Sequence, residues 1–180
     1  MRLYEKQEFE DIRGNEFEGA TFRQCELIGT DARDAKFIGC TFEGSTLSSV
    51  KVDGAVIQAH FVNSKIEGIN FFTAKRELLL LSFTNCLIRY SSFAELKLKK
   101  IKINGCTLQF VDFADADLTE ANFENSSFED CTFRNTNLTK ADFRTARGYS
   151  VDPRINTIKG AHFDLPEVLG LLDAFDIEIG

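Results

Sequence analysis

Residues 111–143 read VDFADADLTEANFENSSFEDCTFRNTNLTKADF, and their spacing decides the fold. Every fifth residue is Phe or Leu: Phe113, Leu118, Phe123, Phe128, Phe133, Leu138 and Phe143. Two positions before each stands a smaller residue: Val111, Ala116, Ala121, Ser126, Cys131, Thr136 and Ala141. Almost everything between is polar or charged. The large residue is here termed the central position, and the smaller one its companion.

A period of five fits neither regular element. At about 100° per residue, an α-helix would scatter the central residues around its whole circumference. In a flat strand the odd period would send successive central residues to opposite faces. A regular signal that matches neither implies a repeat architecture whose units are stable only when stacked. Central residue and companion are two apart, so in a short extended segment they face the same way. The remaining three residues turn a corner toward water. The chain therefore winds as a coil with Phe, Leu and small residues along its axis.

The pattern resembles the pentapeptide-repeat family, whose motif is A(D/N)Lxx. It stands here as Ala116-Asp117-Leu118-Thr119-Glu120, Ala121-Asn122-Phe123-Glu124-Asn125 and Ala141-Asp142-Phe143. The resemblance implies an all-β fold: a right-handed, quadrilateral parallel β-helix with four quintets, or twenty residues, per coil. The sequence supports twenty independently. Every fourth quintet gives one column of Phe22, Phe42, Phe61, Phe83, Ile103, Phe123, Phe143 and Phe163, and another of Leu27, Leu47, Ile66, Ile88, Leu108 and Phe128. Rings then stack on rings.

Taken outward, the repeat begins near Ile12, with Tyr4 and Phe9 expected to cover the open first coil. Ala32 and Val52 are undersized central residues, and we expect the coil to narrow there without a void. The step from Ile57 to Phe61 is one residue short. Residues 73–81, TAKRELLLL, hold two residues too many and predict a small bulge. After Phe143 the pattern frays and returns at Phe163. The β-helix thus covers 1–163. Residues 164–180 change character: Asp164, Pro166 and Glu167 suit a helix start. Val168, Leu171, Leu172 and Phe175 keep helical spacing, with Leu165 and Leu169 broadening the face. A short C-terminal α-helix is predicted, capping the last coil. The family resemblance adds that relatives of this kind dimerise through such helices, so a homodimer is expected.

The five cysteines, Cys25, Cys40, Cys86, Cys106 and Cys131, all fall on companion positions. They read as packed thiols with no disulfide, and their spacing suits no metal. His60 and His162 should face outward. No catalytic or nucleotide-binding motif is present, and a filled axis leaves no pocket, so neither enzyme chemistry nor a cofactor is expected. No stretch is long and apolar enough for a membrane span. The opening MRLYEKQEFE lacks an apolar signal core, giving the expectation of a cytoplasmic protein.

Function must then lie on the outer surface. Net charge is −7 but uneven: −4 over residues 1–60, +5 over 61–105, −5 over 106–145 and −3 beyond. The candidate partner-binding acids are Asp112, Asp115, Asp117, Glu120, Glu124, Glu129, Asp130 and Asp142. Residues 109–128 form one coil with five acids and no base. That approaches the charge density of duplex DNA, about one charge per 1.7 Å. In the quinolone-resistance branch of the family, this implies a DNA mimic that binds DNA gyrase or topoisomerase IV. The alternative is an interaction scaffold with an unrelated partner. The basic cluster Lys97, Lys99, Lys100 and Lys102 interrupts any continuous mimicry and is too small to bind nucleic acid directly.

Overall fold

The structure, a computed structural model, describes residues 2–175 and residue 177. It is a parallel β-helix with four faces. Unbroken quintets repeat at twenty residues, as in the pairings Phe22↔Phe42 and Leu108↔Phe128. One face is a ladder of six strands, with a seventh, Glu16–Glu18, pairing Lys36–Glu43 on the adjacent face; another face is a six-stranded sheet, and every pairing is parallel. The other two faces pair mostly through single bridges, such as Lys97, Asp117, Asn137 and Thr157 in one vertical row. The central columns fill the axis. Phe42, Phe61 and Phe83 stack with centroid separations of 5.1 and 5.0 Å.

Two kinds of corner follow from the companion residue. Where it is Ala, its backbone N–H usually closes a turn onto the preceding central carbonyl, as Ala116 onto Phe113 and Ala121 onto Leu118, at 3.1 and 3.0 Å. At other corners the N–H takes a side-chain acceptor one coil away. Cys25 donates to Ser45 Oγ, Cys106 to Ser126 Oγ, and Thr136 to Asn156 Oδ1, at 3.0, 3.0 and 2.8 Å. The hydroxyls in turn donate to a carbonyl of the coil below, Ser45 to Phe22 and Ser126 to Ile103, at 2.9 and 2.7 Å. Buried backbone groups must be paired, so Ser, Thr, Asn and Cys are chosen at companions for reach as well as size. Beside Cys86 the acceptor is a sulfur, Cys106 Sγ, at 3.4 Å. The five thiols are free, four buried and Cys131 half-buried.

Several expectations need correction. The repeat does not begin near Ile12: Leu3–Glu5 is already a strand pairing with Thr21–Arg23, and the Tyr4 ring stacks on Phe22 at 4.9 Å. Phe9 N bonds Glu26 O at 3.0 Å, so the residues before Ile12 supply the first half of the first coil, which runs from Tyr4 to Phe22 and is two residues short of twenty. Nor is the undersized column closed up. A cavity of about 20 Å³ remains, lined among others by Val52, Ile57, Phe61 and Phe71. The paired backbone fixes the coil's width, so a missing side-chain volume cannot be recovered by narrowing.

The short step between Ile57 and Phe61 appears as a bulge in the facing strand. Ile38 pairs Gln58 and Cys40 pairs Ala59, leaving Gly39 over, with φ +60°. Lys36–Glu43 keeps its corner residue at Gly39, whereas Val56–Val62 passes the same point with no positive-φ residue. The 73–81 insertion forms two 3₁₀ turns, Phe71–Thr73 and Arg76–Leu78, before the strand Leu80–Thr84 resumes the ladder.

The tail is not an α-helix. Glu167–Leu171 and Asp173–Phe175 are 3₁₀ turns. Their bonds run i to i+3, Leu169 to Pro166 and Leu172 to Leu169, at 3.0 and 2.8 Å. A ten-residue helix is marginal alone, and Gly170 weakens it further. Contacts with the last coil hold the chain instead. Val151 N donates to Gly170 O at 3.4 Å, and Arg154 Nη2 donates to Ala174 O at 3.0 Å. A Cβ at position 170 would stand 2.3 Å from the Tyr149 carbonyl, so this close approach requires Gly170.

Candidate interaction surface

Apart from buried companions such as Ser45, Ser126 and Thr136, the repeat places polar side chains at the three outward positions of each quintet. The eight candidate acids therefore spread around the girth. Asp112 flanks Phe113, Asp117 flanks Leu118, Glu124 and Asp142 share the Phe123 face, and Glu129 flanks Phe128. Asp115, Glu120 and Asp130 take corners with φ of +59°, +58° and +49°. Asp and Asn tolerate that left-handed conformation better than most residues.

Several of these carboxylates are engaged within the coil. Asp112 Oδ1 accepts from Ala114 N at 2.9 Å, locking a corner. Asp117 lies 3.4 Å from Lys99 Nζ, and Glu120 lies 3.5 Å from Lys100 Nζ. Partial burial works against the charged form of Asp117. Bonds from Thr119 and the Lys99 ammonium outweigh it and hold the pKa below the usual carboxylate value. Arg144 clamps Asp142 at 2.6 Å and likewise holds its pKa down. Glu129 accepts from the Gln109 amide. Asp115 takes a bond from Asn135 Nδ2 at 3.2 Å. Among the described residues, Asp115, Glu124 and Asp130 enter no ion pair.

Two surface features escape the sequence reading. Glu8 and Glu26 face each other across one ladder, and neither has an ion-pair partner among the described residues. The pairing becomes visible only once Phe9 is counted as a central position. Tyr90 and Phe110 stack in the open, centroids 5.0 Å apart, at corners with φ of +48° and +55°. Their spacing of twenty was the available signal.

In the tail, Leu165, Leu169 and Phe175 stay exposed, at 80%, 40% and 43%. Val168, Leu171 and Leu172 are half-buried, and Leu171 packs on the core. The predicted dimerisation residues thus divide between the cap and an outward apolar surface. His60 and His162 both face outward.

This core-filled, four-sided coil with its five-residue code defines the class. The pentapeptide-repeat family model matches residues 16–54 and 112–147, in eight copies. Over those residues the chain carries pentapeptide repeats. Among solved structures, two trypsin-treated forms of QnrB1, a plasmid-mediated fluoroquinolone resistance protein, share the fold. Their TM-scores are 0.67 and 0.63, at 17% and 16% identity, covering 98% and 99% of this chain and 99% and 98% of theirs. Full-length QnrB1 matches with TM-score 0.56 and 18% identity, over 97% of this chain and all of its own. At such identity the likeness is one of fold. No curated protein matches the sequence.

Proposed function

We propose that this protein is a non-enzymatic partner of a type II topoisomerase, DNA gyrase or topoisomerase IV, presenting acidic coils in place of DNA. The coil of residues 109–128 carries the reading: five acids and no base on a rigid, filled rod. The fold shared with a fluoroquinolone resistance protein supports it. A second copy joined through Leu165, Val168, Leu169, Leu171, Leu172 and Phe175 would bring both acidic regions toward the middle of a two-fold rod. Its field would steer it to a basic DNA-binding saddle.

The test is binding to purified gyrase across a salt titration, with supercoiling assayed with and without ciprofloxacin. Binding should weaken as salt rises. It should weaken further when Asp115→Asn, Glu124→Gln and Asp130→Asn are combined. No binding at low salt, or binding indifferent to the triple variant, overturns the proposal. A monomer mass in sedimentation would remove the dimer.

The second reading is a scaffold for an unrelated partner. The Lys99–Asp117 and Lys100–Glu120 pairs favour it, because they break the negative face where mimicry needs continuity. Affinity capture that returns topoisomerase subunits decides for the first reading, and any other specific partner for the second.

A further inference from the structure

The missing corner leaves a groove of about 500 Å³ between the straight strand Val56–Val62 and the next coils. Leu80 lies in it, 66% exposed, on the rung paired with Gln58. The edges of Ala59, Leu79, Leu81 and Ile101 back it. Lys97, Lys99 and Lys100 form its basic side, where the corner returns with φ +62° at Lys100. Leu80 thus presents an aliphatic side chain to water with the stems of three lysines lining the same groove.

We propose that this groove binds an amphipathic α-helix of a partner protein, with aliphatic residues on one side and acidic residues along the flank. Three features select that occupant. The groove spans the rungs of Gln58, Leu80 and Lys100. Two coil rises amount to about 10 Å, the diameter of a helix with its side chains. Strand addition is closed, because the backbone at Gln58 and Leu80 is already paired within the coil. The recognising groups are chiefly aliphatic and ammonium, with His60 at one edge, which matches an apolar face flanked by acids. Lys99 and Lys100 are held only loosely, 3.4 and 3.5 Å from carboxylates, so a partner's acids can compete for them. The surface is opposite in sign to the acidic coils, so it serves a second contact and stands or falls independently of topoisomerase binding.

The probe is a fluorescein-labelled peptide of about five helical turns, with Leu at i, i+3, i+4 and i+7 and Glu elsewhere. The full chain should bind it, with affinity falling as salt rises. A scrambled peptide of the same composition, and one with Lys for Glu, should bind roughly tenfold more weakly or not at all. Leu80→Asp, and separately Lys97→Gln with Lys99→Gln and Lys100→Gln, should each lose roughly tenfold. Both changes lie on exposed side chains, and an unchanged far-ultraviolet spectrum checks that the fold persists. The proposal fails if the peptide does not bind, if the scrambled peptide binds equally, or if Leu80→Asp changes nothing. It also fails if phosphatidylglycerol vesicles bind where the peptide does not. Self-association abolished by Leu80→Asp, without peptide binding, would make the occupant a second copy and equally overturn it.

Discussion

Phe61 measures how far ring stacking, as distinct from bulk, holds the coil together. Its side chain is 2% exposed and lies between Phe42 and Phe83, with interplanar angles of 9° and 12°. Phe61→Ala removes the ring and leaves a cavity, for about 3–5 kcal/mol. Phe61→Leu keeps most of the volume but deletes both stacks. At about 0.5–1.5 kcal/mol per stack beyond burial, stacking accounts for about 1–3 kcal/mol. The same column accepts Ile103, so an aliphatic residue fits sterically. Urea unfolding followed by far-ultraviolet circular dichroism gives each stability. A double-mutant cycle of Phe42→Leu with Phe61→Leu isolates one pair. Coupling near zero would refute the argument, leaving the Phe ladder as bulk that happens to be aromatic.

Filling the cavity beside Val52 should stabilise: at about 24 cal/mol per Å³, its volume of about 20 Å³ is worth roughly 0.5 kcal/mol, so Val52→Leu should raise the urea midpoint. The Asp31 carboxyl is held at about 2, chiefly by its hydrogen bond from Arg33. Its folded pKa is depressed, so its stabilisation is present at neutral pH and lost as pH falls from about 4 toward 2. Asp31→Asn should therefore be less stable than the parent at pH 7, with the gap closing near pH 2 in parallel urea titrations. Burial pushes the Cys40 and Cys131 thiols up, and Cys106 is pushed up by its hydrogen bond with Cys86 and by burial. Ellman's reagent should titrate five thiols after unfolding. In the native protein it should react slowly, with Cys131 first; Cys131→Ser should remove that early phase.

What could be read from the sequence was whatever the five-residue code touches. The columns, the twenty-residue coil, the deletion before Phe61 and the insertion before Phe83 are all distances between large residues, and a parallel ladder fixes those distances. Tyr4 and Phe9 were misjudged because the step from Phe9 to Ile12 is short and the early corners carry no Asn or Asp signature. The tail was misjudged for another reason. Its apolar spacing suits a helix, but Gly170 against the Tyr149 carbonyl and Arg154 on Ala174 are contacts with the last coil. Local periodicity carries no information about such contacts. The acids were legible as a list and not as a surface. Lys99 is eighteen residues from Asp117 in sequence and 3.4 Å away across a coil step.

The corners show where this fold leaves room for function. The second residue after most central positions turns the chain with positive φ, and Gly, Asn and Asp take it at least cost. Other residues there add roughly 1–2 kcal/mol of strain apiece. Tyr90 and Phe110 occupy successive corners of one row and stack in water, although Gly68 occupies that row one coil earlier and Asp130 one coil later. Their stack offsets part of the cost, by about 0.5–1.5 kcal/mol. Neither residue is needed to build the coil, since small corner residues build it elsewhere. Replacing both with Asn should leave the coil intact and at least as stable. If the double variant instead unfolded, the exterior would be as constrained as the core, and the separation of a structural interior from a freely varying surface would be lost.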